Sequence, residues 1–298
     1  MTDSPMEASL WKFIWAQKTV EITFFVAAIA AVSVVFILRD YLTKRPAVFN
    51  IVRYLILAAS FFYAGLYLKA QPTTTNIAIA ISAAKDGTFP LELFLMEPFI
   101  FLSFVFIGIS SIIWGRGAYC GWLCPYGAML ELLNSITRRI PRLNLKVPGS
   151  VHKVLLKLKY IILAAILGVA WFNFMLSEFL TEVEPFKTFV LKLNRPWYFV
   201  AYFIVLTIAS VIIYRAFCRY LCPLGAAISI PAFLKFLTVS KLKRRTLCGS
   251  CRVCAKLCYS AAISSSGAIN YSECMHCFDC QVLYWDQHKC TELIGKKK

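Results

Sequence analysis

Five long apolar stretches dominate this chain of 298 residues. In lipid the backbone N–H and C=O groups must pair internally, so a stretch of about 20 apolar residues crosses the hydrocarbon core as a helix. Hydrophobic residues make up 59% of the chain and charged residues only 16%, far from the balance of a soluble domain. The sequence therefore predicts an all-α polytopic membrane protein of about five transmembrane helices. The predicted spans cover approximately Ile22–Leu38, Ile51–Leu68, Leu93–Trp114, Tyr160–Leu176 and Trp197–Phe217.

Lysine and arginine are concentrated in alternate segments between these spans. The first and third connecting segments and the residues after the fifth span are strongly basic, whereas the second and fourth are close to charge balance. Because cytoplasmic loops are the basic ones, the N-terminus is predicted outside and the C-terminus in the cytoplasm. The net charge of +17 is then a topological signal, and no nucleic-acid partner is expected. The predicted organisation is a short extracytoplasmic tail (1–21), a transmembrane domain (22–240) and a cytoplasmic domain (241–298).

Eight of the twelve cysteines lie within the last 51 residues, in two groups. Each group contains a triplet with two-residue spacing, and such a triplet supplies three of the four thiolates of a [4Fe–4S] cluster. The first group is Cys248, Cys251, Cys254 and Cys258, and the second is Cys274, Cys277, Cys280 and Cys290. Two tandem groups predict two [4Fe–4S] clusters in a small α+β ferredoxin-like domain. Zinc knuckles are the alternative, although they favour paired cysteines with longer gaps.

The fourth ligand of each cluster is predicted from two-cluster ferredoxins, in which the last cysteine of each group binds the other cluster. Transferred to this chain, the first triplet takes Cys290 and the second takes Cys258. Two features depart from the common pattern. Tyr259 stands where proline is usual, and nine residues separate Cys280 from Cys290 where three are usual.

The membrane part contains an internal repeat. The two units begin with Glu-Pro-Phe, continue through a span and end with Cys-x3-Cys-Pro-x-Gly-Ala, which places the cysteine pairs at Cys120/Cys124 and Cys218/Cys222. A parallel repeat predicts pseudo-twofold packing, which would bring the two pairs together at the cytoplasmic interface. The four thiols could hold a third cluster or form a dithiol redox site, and the sequence does not decide between these. Buried cysteines that serve only as small apolar side chains are a third interpretation.

Glu97 and Glu184 open the two repeat units, and each is followed by a proline. An ionisable side chain inside a membrane is a candidate functional group, for instance a proton acceptor for a quinol. An acid followed by proline also suits the first turn of a helix. The sequence favours this capping role, with both residues near the outer interface.

These motifs together resemble the membrane polyferredoxins of the NosR/NapH type, most closely the membrane-plus-ferredoxin part of the NosR branch. The resemblance extends from Ile22 to Cys290, and it includes both repeat motifs, the run from Cys248 to Cys258 and the ending Asp279-Cys280-Gln281-Val282…Asp286-Gln287-His288-Lys289-Cys290. It implies electron relay in anaerobic respiration and support of nitrous oxide reductase. Proteins of the NosR branch usually carry an extracytoplasmic flavin domain. Since only residues 1–21 precede the first span, no flavin is expected on this chain.

The sequence thus predicts an iron–sulfur electron-transfer protein of a bacterial inner (plasma) membrane, either a simple relay or a subunit of a quinol-linked oxidoreductase. The expected partners are the lipid bilayer, a separate flavoprotein, and the quinone pool or a redox protein. No predicted span contains a histidine, so no haem is expected. All predicted sites lie on the cytoplasmic side, so a partner is expected to carry electrons across the membrane. A redox-sensing regulator and a maturation factor for a respiratory metal centre are the alternative functions.

Overall fold

The computed structural model describes residues 7–85, 87, 91–138, 140, 145, 147–233, 240–245 and 248–295. Within these residues the fold is helical, and an isolated bridge between Ile263 and Ile269 is the one piece of β-structure. The α-helices of the membrane part are α1 (Glu7–Gln17), α2 (Thr19–Ile37), α3 (Arg39–Leu42), α4 (Pro46–Ala59), α5 (Thr74–Lys85), α6 (Leu91–Met96), α7 (Pro98–Ile113), α8 (Pro125–Thr137), α9 (Gly149–Phe172), α10 (Phe174–Leu180), α11 (Phe186–Val190), α12 (Trp197–Ile212) and α13 (Pro223–Ser229). The C-terminal segment, called the tail below, adds α14 (Cys248–Cys251), α15 (Val253–Leu257), α16 (Asp279–Trp285) and α17 (Thr291–Gly295).

All five predicted spans are helical, but they differ in length. Among the described residues, three helices are long and apolar enough to cross a membrane: α2, α9, and α4 together with the π-helical segment Ser60–Tyr67 that continues it. Helices α7 and α12 are apolar but have 16 residues each, about 24 Å at 1.5 Å per residue. Several predicted limits are therefore wrong, two of them at these helices. The third stretch is divided at Glu97, because Pro98 begins a new helix, and the fifth ends at Ile212.

Helices α7 and α12 end in the same way. The backbone N–H of Gly115 donates to the carbonyl oxygen of Ser110 at 3.1 Å, and that of Arg215 donates to Ser210 at 2.9 Å. Both donors have a left-handed backbone, with φ of +88° at Gly115 and +49° at Arg215. Such a residue closes a helix and turns the chain sharply. The equivalent closures lead the chain into the two cysteine segments.

The two cysteine segments share one local structure. Each begins with a π-helical turn, at Tyr119–Leu123 or Phe217–Leu221. The second cysteine of each pair, Cys124 or Cys222, then has an extended backbone and caps the next helix, α8 or α13. Proline at the first position of both helices suits this break, because its missing N–H is not needed there. The predicted internal repeat is therefore visible in the structure: both units contain a π-helical turn, an extended cysteine and a helix that begins with proline.

The tail packs against one end of the helical bundle, which we call the tail end. The ring of Phe278 lies against Phe36, near the end of α2, and Phe49, near the start of α4, with centroid distances of 5.0 and 6.1 Å. At the opposite end, called the far end, the hydroxyl of Tyr63 donates to the carbonyl oxygen of Glu21. Helices α2 and α4 thus run in opposite directions between the two ends.

The first cysteine segment lies well along α4, towards the far end. A Cβ atom on Gly65 would meet the Cβ of Pro125 at 2.7 Å, so Pro125 packs directly on the π-helical end of that helix. Helix α8 then returns towards the tail end, where Glu131 pairs with Arg53. Residues 53 and 65 are twelve apart, which corresponds to roughly 18 Å of helix. The position of the two cysteine pairs relative to the cytoplasmic interface stays a prediction.

The α+β structure predicted for the tail is not confirmed by the described residues. The connection between the two cysteine groups contains the small polar run Ser264–Ser266 and Gly267, and it forms only the bridge between Ile263 and Ile269. Four short helices carry or flank the cysteines instead. So short a connection holds the two groups close together without a sheet.

Candidate metal centres

Cys258 and the second triplet line one cavity in the tail. Although Cys258 belongs to the first group in sequence, its thiol interacts electrostatically with those of Cys274, Cys277 and Cys280. Burial raises the pKa of Cys280 to about 12, and the neighbouring thiol of Cys258 acts in the same direction. Thiolates crowded into a buried site require cationic iron to neutralise them. This donor set therefore fits a [4Fe–4S] cluster.

The spacing of these side chains bears on the zinc alternative. Among the described residues, no three His, Cys, Asp or Glu side chains converge tightly enough to hold a single metal ion. A four-iron cluster is a larger body, and its thiolates stand around it instead of meeting at one atom. The cysteine pattern in the sequence, and not this absence, favours a cluster over a zinc knuckle.

The first triplet lies beside the last helix of the chain. Cys254 interacts electrostatically with Cys248 and Cys251. The Sγ of Cys251 is 2.9 Å from the Oγ1 of Thr291, which directly follows Cys290 in the chain. The structure thus places Thr291, the residue after Cys290, beside the first triplet. The crossed assignment of the two fourth ligands stays a prediction, and the position of Cys258 beside the second triplet is compatible with it.

The four cysteines of the repeat come together as a third group, called the four-cysteine group below. Cys124 and Cys222 each interact electrostatically with Cys120 and Cys218, and all four side chains are more than nine-tenths buried. The second cysteine of each pair accepts a hydrogen bond from the backbone N–H three residues later, at 3.4 and 3.2 Å. Hydrogen bonds to ligand sulfur are one of the ways in which proteins tune iron–sulfur clusters. The donor set fits a third cluster, and it also fits a dithiol site.

Gln71 borders the four-cysteine group on the side that faces the far end. Its amide lies 3.7 Å from the Sγ of Cys124, and its carbonyl oxygen accepts the backbone N–H of Tyr126 at 3.2 Å. The side chain is only 3% exposed. Sequence reasoning missed Gln71, because a single glutamine after an apolar stretch carries no pattern.

Glu184 lies between the second cysteine segment and the start of α5. Its carboxylate is 2% exposed, accepts hydrogen bonds from the N–H and hydroxyl of Thr74, and accepts the N–H of Leu224 at 3.3 Å. It therefore caps α13, a different helix from the span that it was expected to cap. Glu97 keeps the expected place before Pro98, but it is exposed and its side chain makes no capping hydrogen bond. The two glutamates are equivalent in sequence and not in structure.

The tail contacts the first cysteine segment at two glycines, Gly117 and Gly121, which have no side chain. A Cβ atom on Gly117 would lie 2.6 Å from the carbonyl oxygen of Cys274, and one on Gly121 would lie 2.2 Å from that of Met275. Real Cβ atoms do not approach so closely, so only glycine fits at either position. The two glycines are four residues apart, a spacing that allows close approach on one helical face, and this signal could have been found from sequence. The backbone of the second triplet therefore lies directly on the four-cysteine group.

An aromatic cluster seals this contact at the tail end. The indole N–H of Trp122 donates to the carbonyl oxygen of His276 at 2.9 Å. The ring of Phe36 lies within 6 Å of the rings of Trp122, His276 and Phe278, measured between centroids. Such rings exclude water and fix the tail against the bundle.

A buried carboxylate between the tail and the bundle was also missed from sequence. Glu131 pairs with Arg53 at 2.6 Å, Arg138 at 2.8 Å and Arg215 at 3.0 Å, and it accepts the hydroxyl of Tyr214. Its side chain is 1% exposed. One buried carboxylate thus neutralises guanidinium groups from three separate segments.

Replacing Glu131 by glutamine is expected to lower the stability of the protein by about 3–5 kcal/mol, because three buried guanidinium groups lose their shared anion. The apparent melting temperature in detergent measures the loss. Glu182→Gln is the matched control, since Glu182 also binds two cations, Lys187 and Arg195, but is partly exposed. A partly exposed carboxylate is expected to contribute less than about 1 kcal/mol. Equal losses in the two variants would contradict the prediction.

Comparison with known proteins connects these groups to iron–sulfur proteins. A family model named NosR matches residues 246–298, which contain all eight tail cysteines. A model described as a 4Fe-4S binding domain matches residues 96–144 and 196–238, which contain the two cysteine pairs of the repeat. No solved structure matches the chain.

Curated relatives match almost the whole chain. Regulatory protein NosR of Pseudomonas aeruginosa is 40% identical over 97% of this chain, and that of Stutzerimonas stutzeri is 38% identical over 97%. Protein NirI of Paracoccus denitrificans is 36% identical over 95%. The chain spans 40%, 40% and 42% of the length of these three proteins. From its cysteine motifs, its two matching family models and these relatives, the chain belongs to the NosR family of iron–sulfur proteins.

Proposed function

We propose that this chain is a membrane-bound electron-transfer protein whose three cysteine centres form one path through the helical bundle. The observation that carries the proposal is the contact of the Cys274–Met275 backbone with Gly117 and Gly121. No side chain separates the second triplet from the four-cysteine group at that contact. Bound [4Fe–4S] clusters accept and release one electron at a time. The chain itself holds the centres in order, buries them and excludes water.

The proposed path runs from the tail end towards the far end. The four-cysteine group lies between the tail, which contacts Gly121 beside Cys120, and Gln71, which contacts Cys124 on the side of the far end. With the topology predicted from the basic segments, this direction is from the cytoplasm outwards. We propose that the chain carries electrons over part of this distance and that a partner carries them over the rest.

The partners proposed from the sequence fit the far end of this path. A cavity of about 370 Å³ opens there, lined by polar side chains such as Gln71 and Thr73 and apolar ones such as Ile100 and Phe186. Its size is in the range of small-molecule sites, and its mixed lining suits an amphiphile such as a quinone. A separate flavoprotein at the far end is the other proposed partner. As the family resemblance implies, the electrons would serve anaerobic respiration, with nitrous oxide reductase as the supported enzyme.

Electron transfer through sealed vesicles tests the proposal. The full chain is reconstituted anaerobically with ferricyanide inside, external dithionite as an impermeant reductant and an ionophore to remove the charge imbalance. Molecules with the tail outside are expected to reduce the enclosed ferricyanide, because the path leads from the tail through the bundle. The rate is measured from the bleaching of ferricyanide.

The matched control is Cys124→Ser, which removes one ligand of the four-cysteine group and leaves the tail unchanged. Its rate is expected to fall to that of empty vesicles. A rate equal to that of the unaltered protein would contradict a path through this group. Iron analysis belongs to the same experiment: about twelve irons per chain support three four-iron centres, and about eight support centres in the tail alone.

The name of two relatives, regulatory protein NosR, favours one alternative, a redox-sensing regulator. In that function the tail clusters would report oxygen or iron to a downstream gene. Loss of the clusters in air would then change transcription without changing electron flux through the vesicles. A flux that disappears together with the clusters would exclude a purely regulatory role.

A further inference from the structure

Two arginines connect the two repeat units beside the four-cysteine group, and each donates a hydrogen bond to the unit that it does not belong to. Arg116, from the first repeat unit, donates to the carbonyl oxygen of Cys218 in the second unit at 2.8 Å. Arg215, from the second unit, donates to the carbonyl oxygen of Cys120 in the first unit at 2.8 Å. Each guanidinium group therefore crosses the pseudo-twofold axis to the first cysteine of the other pair.

Sequence comparison of the two units does not reveal this exchange. Arg116 lies four residues before Cys120, whereas Arg215 lies three residues before Cys218, so the arginines do not align. The left-handed backbone of Arg215, with φ of +49°, is unfavourable for a residue with a side chain. Strain of this kind persists where the surrounding structure requires the residue, and here it aims the guanidinium group at Cys120.

Both arginines are buried in surroundings with a surplus of positive charge. Arg116 is fully buried, and its carboxylate partner Glu273, at 3.6 Å, is shared with the buried Lys159 at 2.7 Å. Two cations thus face one anion on this side.

The same surplus occurs on the side of Arg215, which is 1% exposed. Arg215 shares Glu131 with Arg53 and Arg138, and the half-exposed Asp279 is the only other carboxylate among their ion pairs in the described part of the chain. Three cations thus face two anions. Burying charge of one sign costs free energy unless an opposite charge lies nearby. An additional anion at the four-cysteine group would therefore stabilise the cations on both sides.

A four-thiolate iron–sulfur centre would provide that negative charge, whereas neutral cysteines would not. Arg116 interacts electrostatically with Cys120 and Cys222, and Arg215 interacts with Cys218. Every electron added to the group adds one more negative charge within reach of both arginines. Fixed cations in a water-excluded site act strongly on such a change, because the effective dielectric constant is low.

We infer that Arg116 and Arg215 set the reduction potential of the four-cysteine centre by stabilising its reduced form. They are positioning and tuning residues, since they contact the ligand backbone and not the iron. The inference rests on the proposed third centre. It adds that this centre has a raised potential compared with the same centre lacking the two cations.

A redox titration followed by EPR tests the inference on the full, anaerobically purified chain. Arg116→Gln and Arg215→Gln remove the charge while keeping hydrogen-bond donors, and Arg116→Lys and Arg215→Lys keep the charge. Each glutamine variant is expected to shift the oxidised-to-reduced ratio of the four-cysteine signal at least tenfold at a fixed potential, which equals 59 mV for one electron. The shift is towards lower potential, and the lysine variants should retain most of the original value.

Arg39→Gln is the matched control. Arg39 is also a buried arginine that donates to backbone carbonyls, those of Ser240 and Lys241, but neither belongs to the four-cysteine group. Its substitution is expected to leave the potential of the four-cysteine signal unchanged. An equal shift in the control would assign the effect to general loosening and would overturn the inference.

Two further outcomes would also overturn the tuning role. Glutamine variants that retain their iron and their potential would show that the cations have no effect. Loss of the centre in both the glutamine and the lysine variants would show a purely structural role for the guanidinium groups. A count of about eight irons in the unaltered protein is a different failure, because it removes the proposed third centre before any variant is compared.

Discussion

Replacement of Gly121 by alanine is expected to disconnect the tail from the four-cysteine group. The added Cβ would lie 2.2 Å from the carbonyl oxygen of Met275 and 3.3 Å from its carbonyl carbon. A backbone atom cannot move aside as the end of a flexible side chain can, so the Cys274–His276 loop must shift away. Overpacking of this kind costs about 1–3 kcal/mol or more. Displacement by even a few ångströms also lengthens the electron path at its narrowest contact.

Rapid-freeze EPR measures the effect directly. After the tail is reduced with dithionite, electrons should reach the four-cysteine group quickly in the unaltered chain and slowly, or not at all, in Gly121→Ala. The iron content is expected to stay unchanged, because no ligand is replaced.

Gly108→Ala is the matched control for this prediction. Gly108 lies within α7, and a Cβ atom there would meet nothing within 4 Å. Alanine favours a helix over glycine by about 1 kcal/mol, so this variant should be as stable as the unaltered chain or more stable. Equal transfer rates in Gly121→Ala and the unaltered chain would show that the electron path does not pass through this contact.

The contrast between Gly108 and Gly121 shows what sequence patterns can predict in this fold. The limits of α2 were predicted to within three residues, because the length of an apolar stretch depends only on neighbours in the chain. The start of α9 was placed eleven residues late, at Tyr160 instead of Gly149. Lys159 looked like a loop residue, yet it is buried and paired with Glu273, which lies 114 residues away in sequence. Pairing over such a distance is not visible in any local pattern.

The same distinction applies to the candidate centres. The grouping of the cysteines followed from their spacing, since a cluster loop is local. The contact of the tail with the four-cysteine group did not, because it joins Met275 to Gly121, which is distant in the chain. The exchanged arginines were missed for a related reason. Arg116 and Arg215 make equivalent contacts in the structure, but they occupy different positions in the sequences of the two repeat units.

Double substitutions of the tail cysteines are expected to show that Cys258 belongs to the second triplet. Cys258 lines the cavity of that triplet, while Thr291, the neighbour of Cys290, lies beside Cys251. Cys258→Ser combined with Cys277→Ser should therefore remove one cluster, because both changes fall on the same centre. From about twelve irons per chain, about eight should remain.

Cys258→Ser combined with Cys251→Ser should remove both tail clusters, because each change then falls on a different centre, and about four irons should remain. The two double variants contain the same number of serines and differ only in which triplet is changed, so each is the control for the other. Iron and sulfide analysis after anaerobic purification gives the counts, and EPR identifies the remaining centre. The reverse order, about four irons in the first variant and about eight in the second, would assign Cys258 to its own triplet. The crossing of the fourth ligands would then be absent, and the short connection between the groups would have to bring Cys290, and not Cys258, to the second cavity.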